Sequence, residues 1–194
     1  MKVGVLALQG AFAAHLAMLD SLGVTGVEVR TPAELAGVDR LVMPGGESTT
    51  MSMMLERSSM LEPLRDHLAS GKPVFGTCAG TILLAGEVVG GRADQVNLAA
   101  IDMTVTRNAY GRQRESFEVD LDVEGCDGGG FHAVFIRAPR IEAVGDEVEV
   151  LARIEGSAAL VRSEGVLAST FHPELSGDNR IHAMFCGMSD QELD

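Results

Sequence analysis

Val74-Phe75-Gly76-Thr77-Cys78-Ala79-Gly80-Thr81-Ile82-Leu83-Leu84 runs from a short apolar pair into a glycine-flanked cysteine and out into a helical pattern. Val74-Phe75 reads as the end of a buried strand, and 79–84 as the first turns of a helix. Gly76-Thr77-Cys78-Ala79-Gly80 is G-x-C-x-G, the cysteine form of the nucleophile elbow. A strand that turns sharply into a helix brings two backbones together, and glycine leaves them room. The apex residue is pushed into the open at a helix N-terminus, where backbone N–H groups and the helix dipole favour an anion. A cysteine there is a ready thiolate nucleophile. A lone cysteine more often only fills space, so the reading depends on what the rest of the chain supplies.

Outward from the elbow, the first half alternates strands with helices. The apolar run 3–8 is a strand buried on both faces, broken by Gln9-Gly10. Phe12, Leu16 and Leu19 recur at helical spacing up to Gly23. A strand at 27–30 leads to Thr31-Pro32, a cap followed by proline in the first helical turn. Leu41-Val42-Met43 is a third strand, ending in Pro44-Gly45-Gly46-Glu47-Ser48-Thr49-Thr50, a glycine turn with hydroxyls able to cap the next helix. Segments 51–55 and 60–69 are helical. The second half reads as strands at 103–106, 116–123, 134–136, 148–154, 158–161 and 166–171, with a final helix at 180–185.

This pattern predicts a three-layer α/β fold: a mostly parallel central sheet, flanking helices and an antiparallel extension with at least one strand rejoining the sheet. With no internal repeat, linker or low-complexity tract, residues 1–194 are expected to form a single domain. In such sheets ligands bind beyond the carboxyl ends of the strands. Gln9, Gly45-Gly46 and Cys78 stand at those ends and are expected to share one rim.

Composition narrows the function. The chain has 194 residues, 46% hydrophobic, with ten methionines and only 4% aromatics, so an aliphatic, Met-filled core is expected. A formal net charge of −13 argues against nucleic acid and anionic membranes as partners. Cys78, Cys126 and Cys186 lie far apart without a CxxC pair, so no disulfide framework and no metal site is expected. A reactive thiol fits the reducing cytoplasm. Lys2, the run 3–8 and Ala11-Phe12-Ala13 resemble a signal peptide. The single lysine and the Gln9-Gly10 interruption favour a first strand and helix instead.

A cysteine nucleophile needs a base that later returns the proton. Phe171-His172-Pro173-Glu174-Leu175 follows the strand at 166–170 and offers both histidine and a carboxylate to orient it. Alone, this could be a structural histidine with a solvated glutamate. At the end of a second strand beside G-x-C-x-G it reads as base and orienter. The other histidines read as non-catalytic, with His15 and His67 on solvated helix faces. Gly128-Gly129-Gly130 is a flexible turn, and the acidic positions 142, 146, 147 and 149 a solvated face. No nucleotide-binding glycine motif is present.

The elbow with His172-Pro173-Glu174 resembles the triad-type (class I) glutamine amidotransferases. Further segments narrow the resemblance to the glutaminase subunits of pyridoxal 5′-phosphate synthase. They are Leu6-Ala7-Leu8-Gln9-Gly10, Pro44-Gly45-Gly46-Glu47-Ser48-Thr49, Arg107-Asn108 with Gly111-Arg112-Gln113, Ser116-Phe117-Glu118 and Phe135-Ile136-Arg137-Ala138-Pro139. They cover nearly the whole chain. The glycine-rich turn at 125–130 and the acidic C-terminal tail are individual.

The resemblance implies hydrolysis of L-glutamine to glutamate and ammonia through a thioester, with no cofactor. Cys78 would be nucleophile, His172 base and acid, and Glu174 orienter. Gly46, Glu47, Ser48, Arg107, Ile136 and Arg137 would hold glutamine. The backbone N–H groups of Gly46 and Ala79 would form the oxyanion hole. Ammonia would pass to a barrel-shaped synthase subunit, whose docking would act on Gln9, Gly10 and Gly45. The alternatives are a γ-glutamyl hydrolase or peptidase on the same scaffold, and a non-catalytic regulatory subunit.

Overall fold

A computed structural model describes residues 1–92, 94–107 and 116–189. The expected segments Asn108 and Gly111-Arg112-Gln113, and the end of the acidic tail, lie outside the described residues.

The first strands are near-continuous apolar runs, as parallel strands covered on both faces must be. They are β1 (Lys2–Leu6), β2 (Thr25–Val29), β3 (Arg40–Met43) and β4 (Val74–Thr77). β1 pairs in parallel with β2 and β3, and β3 with β4. β12 (Val166–Ser169) returns from the far end of the chain and pairs in parallel with the other edge of β4. Beyond it the sheet turns antiparallel through β11 (Ser157–Ser163) and β9 (Arg140–Val144) to β6 (Ile101–Thr106), with β10 (Glu149–Ile154) hanging from β11. β5 (Ala85–Val89) closes the edge in parallel with β6. β7 (Ser116–Leu121) and β8 (Phe131–Ile136) form a separate hairpin. The mostly parallel core with an antiparallel extension is as expected. β5 and β9 are additions. β5 is mostly exposed, and Arg140–Val144 buries only Ile141, so neither carries the apolar run that marks a strand.

Strand alternation splits the core into two layers. Val3, Val5, Val42, Phe75 and Leu167 face one side and pack with Leu19 of α1 (Phe12–Ser21) and with Ile181 and Phe185 of α6 (Arg180–Cys186). Leu6, Leu41, Met43, Val74 and Ala168 face the other. They meet Leu35 of α2 (Pro32–Ala36), Met51 and Leu55 of α3 (Ser48–Arg57), Leu64 of α4 (Leu61–Ala69) and Leu83 of α5 (Ala79–Leu84). The aromatics are few but concentrated. Phe75, Phe131, Phe135, Phe171 and Phe185 are fully buried on the first side, while methionines serve mainly the second.

Thr31 caps α2 in a full capping box with Glu34, as its position before Pro32 predicts. α3 starts differently from expectation. Glu47, rather than a hydroxyl residue, is its N-cap, accepting the backbone N–H groups of Thr49 and Thr50. Helix α5 is the short piece that follows the elbow, and Cys78 is its N-cap. Among the described residues no helix is long and apolar enough to cross a membrane.

Candidate active site

The elbow is built by close backbone approach. A Cβ at Gly80 would overlap the Met43 carbonyl oxygen, and one at Gly76 would lie 2.8 Å from the Gly80 carbonyl carbon. With both positions open, β4 turns directly into α5, and Cys78 takes φ 49°, ψ −100°. Left-handed backbone at a non-glycine residue is strained, and such strain gathers at functional sites. The elbow is stapled to its neighbour strand. Cys78 N–H donates to the Ser169 carbonyl at 2.9 Å, and the Thr81 hydroxyl lies 2.6 Å from that oxygen. These bonds fix the cysteine relative to β12, and so to the histidine that follows it.

β12 leads through Phe171 into His172 and a 3₁₀ turn at Pro173–Leu175. His172 N–H bonds to the Val134 carbonyl at 2.8 Å, holding the backbone. Its Nδ1 lies 2.8 Å from Glu174 Oε1, which leaves Nε2 for Cys78. Burial disfavours the His172 imidazolium, but the Cys78 side chain and Glu174 outweigh it, and the pKa rises to about 10. Burial opposes ionisation of Glu174 as well. The hydrogen bond from His172 and the nearby imidazoles of His15 and His172 reverse that and lower its pKa. The Cys78 thiol lies 3.9 Å from the Ile136 carbonyl, brought in by β8. Arg137, next in the chain, is at φ 44°, the second strained residue at this rim.

Gln9, Gly10, Gly45, Gly46, Glu47, Ser48, Cys78, Arg107, Ile136, Arg137 and His172 line one cleft of about 340 Å³. The expected residues therefore converge, Ala79 following Cys78 as the first residue of α5. A larger cleft, about 780 Å³, opens near the start of β12 between α4 and the 98–102 segment. Neither cysteine nor histidine lines it; those expected for the chemistry line the smaller cleft.

Two findings refine the expected roles. Glu47 and Arg107 are bound to each other, Nη2 to Oε1 at 3.0 Å, while Arg107 Nη1 donates to Gln95 Oε1 at 2.9 Å. Burial pushes the Glu47 pKa up, but hydrogen bonds from Thr50 and Thr49 prevail and hold it at about 2. Glu47 is thus a fixed carboxylate at the cleft. The Gly45 carbonyl accepts from Ala11 N–H at 3.4 Å, and Gln9 Oε1 accepts from Glu47 N–H at 3.2 Å. In a planar trans peptide N–H points opposite to C=O. The Gly46 N–H therefore points away from the Gly10–Ala11 turn, and that turn sets its direction. Gly10, at φ 92°, is what allows the approach, because a Cβ there would overlap the Gly45 oxygen.

Two expectations of exposure are overturned: Cys78, expected to be pushed into the open, is buried at 6% exposed, and the helix histidines are buried as well. His15 and His67 are not solvated: they are 0% and 6% exposed, and His182 is also fully buried. The spacing held the signal for His15, which stands three residues after Phe12 and four before Leu19, on the apolar stripe of α1. A polar side chain on such a stripe is buried with it. Burial lowers all three, His15 and His67 to about 4 and His182 to about 3. The unfolded chain therefore binds protons first as pH falls below 6.5, so their stability contribution is complete above that value and drains away toward pH 4. Each neutral histidine costs about 1.4 kcal/mol per pH unit in that window. The melting temperature is expected to fall by about 5 °C or more between pH 7 and pH 5; a flat profile in calorimetry would show that these histidines are not held neutral.

Of the three cysteines, Cys78 alone lines the cleft. Burial raises the thiol pKa of both Cys126 and Cys186. Iodoacetamide at neutral pH is expected to modify Cys78 at least about tenfold faster than either. Equal labelling by peptide mass spectrometry would contradict this.

Comparison with known proteins agrees with the geometry. The model of the SNO glutamine amidotransferase family matches residues 5–191. The pyridoxal 5′-phosphate synthase subunit PdxT of Mycobacteroides abscessus is 56% identical, with 96% of each chain covered. That of Frankia alni is 55% identical, covering 95% of this chain and 92% of its own. A crystal structure of a glutamine amidotransferase superposes with a TM-score of 0.89 at 49% identity, covering 94% of this chain and 96% of that one. The chain belongs to the SNO glutamine amidotransferase family.

Proposed function

We propose that this chain is the glutaminase subunit of a pyridoxal 5′-phosphate synthase, hydrolysing L-glutamine with the Cys78–His172–Glu174 triad. The observation that carries the reading is a strained cysteine at a helix N-terminus, beside a histidine bound to a buried glutamate, in a cleft of amino-acid size. Cys78 Sγ attacks the side-chain amide carbon of glutamine, and a C–S bond forms. The oxygen takes the negative charge, stabilised by the N–H groups of Ala79, at the α5 N-terminus, and of Gly46. His172 gives its proton to the leaving nitrogen, the C–N bond breaks, and ammonia departs from a thioester. Water, deprotonated by His172, attacks the thioester and releases glutamate and the thiol. Glu174 keeps the imidazole in the tautomer that serves both steps.

Glu47, a fixed carboxylate, suits the substrate ammonium, and Arg107 its carboxylate. Ser48 and the backbone at Ile136 and Arg137 complete the grip. Ammonia then passes to a barrel-shaped synthase subunit. Free ammonia is lost to solvent, so a control at the oxyanion hole is useful, and the Gln9-Gly10 turn against Gly45 provides one. The synthase, pressing on this turn, would reorient the Gly45–Gly46 peptide and aim the Gly46 N–H.

Ammonia release from glutamine is expected to rise at least about tenfold on adding the synthase subunit, the scale of one oxyanion donor being larger still. Gln9→Ala should blunt the rise while changing KM little. Full activity in the isolated chain, unaltered by the partner, would refute the control. A preference for γ-glutamyl peptides over glutamine would refute the substrate.

A further inference from the structure

We propose that His15, backed by His182, is a positioning residue for the triad, holding the second oxygen of Glu174 and thereby the orientation of His172. This rests on the triad reading above. Glu174 Oε1 is occupied by His172. Oε2 is buried, and no hydrogen bond reaches it among the described residues. The nearest partner is His15 Nε2, 3.4 Å away, with both side chains fully buried. The same nitrogen lies 3.3 Å from Thr77 Oγ1, and His15 Nδ1 lies 2.9 Å from His182 Nε2. Phe75 packs its ring edge-on against both imidazoles.

The proton positions follow from these contacts. Burial keeps His15 and His182 neutral at pH 7, so each ring carries one N–H. Were His15 protonated on Nδ1, its bare Nε2 would confront a buried carboxylate oxygen, lone pair against lone pair. His182 would then have to carry its hydrogen on Nδ1, which has no partner. A buried N–H without an acceptor is costly. The reverse arrangement avoids both faults. His182 Nε2–H donates to His15 Nδ1, His15 Nε2–H serves Thr77 Oγ1 with Glu174 Oε2 beside it at 3.4 Å, and only a ring-nitrogen lone pair on His182 goes unmatched.

The result is a directed chain from α6 through α1 to the 3₁₀ turn and into the cleft: His182, His15, Glu174, His172, Cys78. The groups facing His15 are Glu174 and His172 after β12, Thr77 at the end of β4 and His182 on α6. The 3.4 Å contact between His15 Nε2 and Oε2 opposes rotation of the carboxylate away from His172 Nδ1. The triad is thus braced by two helices from the layer behind it.

The test uses the full chain with its synthase subunit. His15→Leu should lower kcat about 10- to 100-fold, the scale for partners that orient a functional side chain from behind. KM for glutamine should stay within about twofold, because no substrate contact is lost. The acid limb of kcat/KM should move to higher pH, since a carboxylate without the His15 imidazole 3.4 Å away holds the His172 proton more tightly. His15→Gln, which can place an amide N–H where Nε2–H was, should recover most of the loss. Wild-type kcat and pH profile in folded His15→Leu, or no recovery by glutamine, would overturn the proposal. An arm independent of variant folding is ¹⁵N NMR of the unaltered protein at pH 7. It should show His15 protonated on Nε2 and bare on Nδ1, and the opposite tautomer would overturn the proposal. The two readings fail separately: activity surviving in Cys78→Ala defeats the triad, whereas wild-type kcat in His15→Leu defeats only the role of His15.

Discussion

Cys78→Ala is expected to lower ammonia release from glutamine by about 10⁴-fold or more while leaving the fold intact. Removing a nucleophile removes the covalent route, and what remains is catalysis from binding and the oxyanion donors alone. Cys78 is only 6% exposed, and its side chain meets the Ile136 carbonyl at 3.9 Å and the His172 imidazole. Losing the sulfur removes a partner of His172, but that imidazole lines the cleft, where water can take the sulfur's place. The backbone strain at φ 49° is unchanged, because alanine meets the same Cβ restriction. The melting temperature should therefore stay within a few degrees while turnover collapses. Quenched-flow mass spectrometry on the unaltered protein should also trap a glutamyl adduct on Cys78. Ammonia release within tenfold of wild type in the variant would exclude this cysteine as nucleophile.

Glu174→Gln should cost about 10³- to 10⁴-fold in kcat, the scale of the corresponding carboxylate-to-amide exchange in a serine-protease triad. The amide is nearly isosteric, so packing survives. Its effect is on hydrogen position. A glutamine that turns its NH₂ toward His172 Nδ1 forces that nitrogen bare and puts the hydrogen on Nε2, where it faces Cys78 and cannot accept a proton. The change also removes the charge that helps raise His172 to about 10, so its pKa should fall back toward 6.5. The pH profile gives the signature, and a variant with wild-type kcat would remove Glu174 from the mechanism. KM should change little, since Glu174 does not line the glutamine cleft.

Much of the architecture is legible in one dimension. The runs 3–8, 41–43, 74–77 and 166–169 are apolar on both alternating faces, and only a parallel strand between helical layers has such a demand. The G-x-C-x-G spacing is equally local, because the crowding of Met43, Gly76 and Gly80 is created by residues a few positions apart or on the adjacent strand. His172-Pro173-Glu174 is readable for the same reason, since a two-residue separation with a stiff proline puts imidazole and carboxylate within 2.8 Å. β5 and β9 were hidden because their pairing, rather than their side chains, makes them strands.

What the linear order determined is which residues are candidates for the proposed chemistry, Cys78 to attack, His172 to move the proton and Glu174 to orient it, and that they follow strand ends. Tertiary structure decided what each polar group actually meets. Glu47 binds Arg107 across 60 positions, and Gly45 is held by the turn after β1. His15 meets Glu174 only because α1 and the turn after β12 pack at the same rim of the sheet. An α-helical pattern reports that a face is buried, but not against what. A histidine on that face becomes part of a catalytic apparatus only when the packing of distant elements puts a carboxylate opposite it.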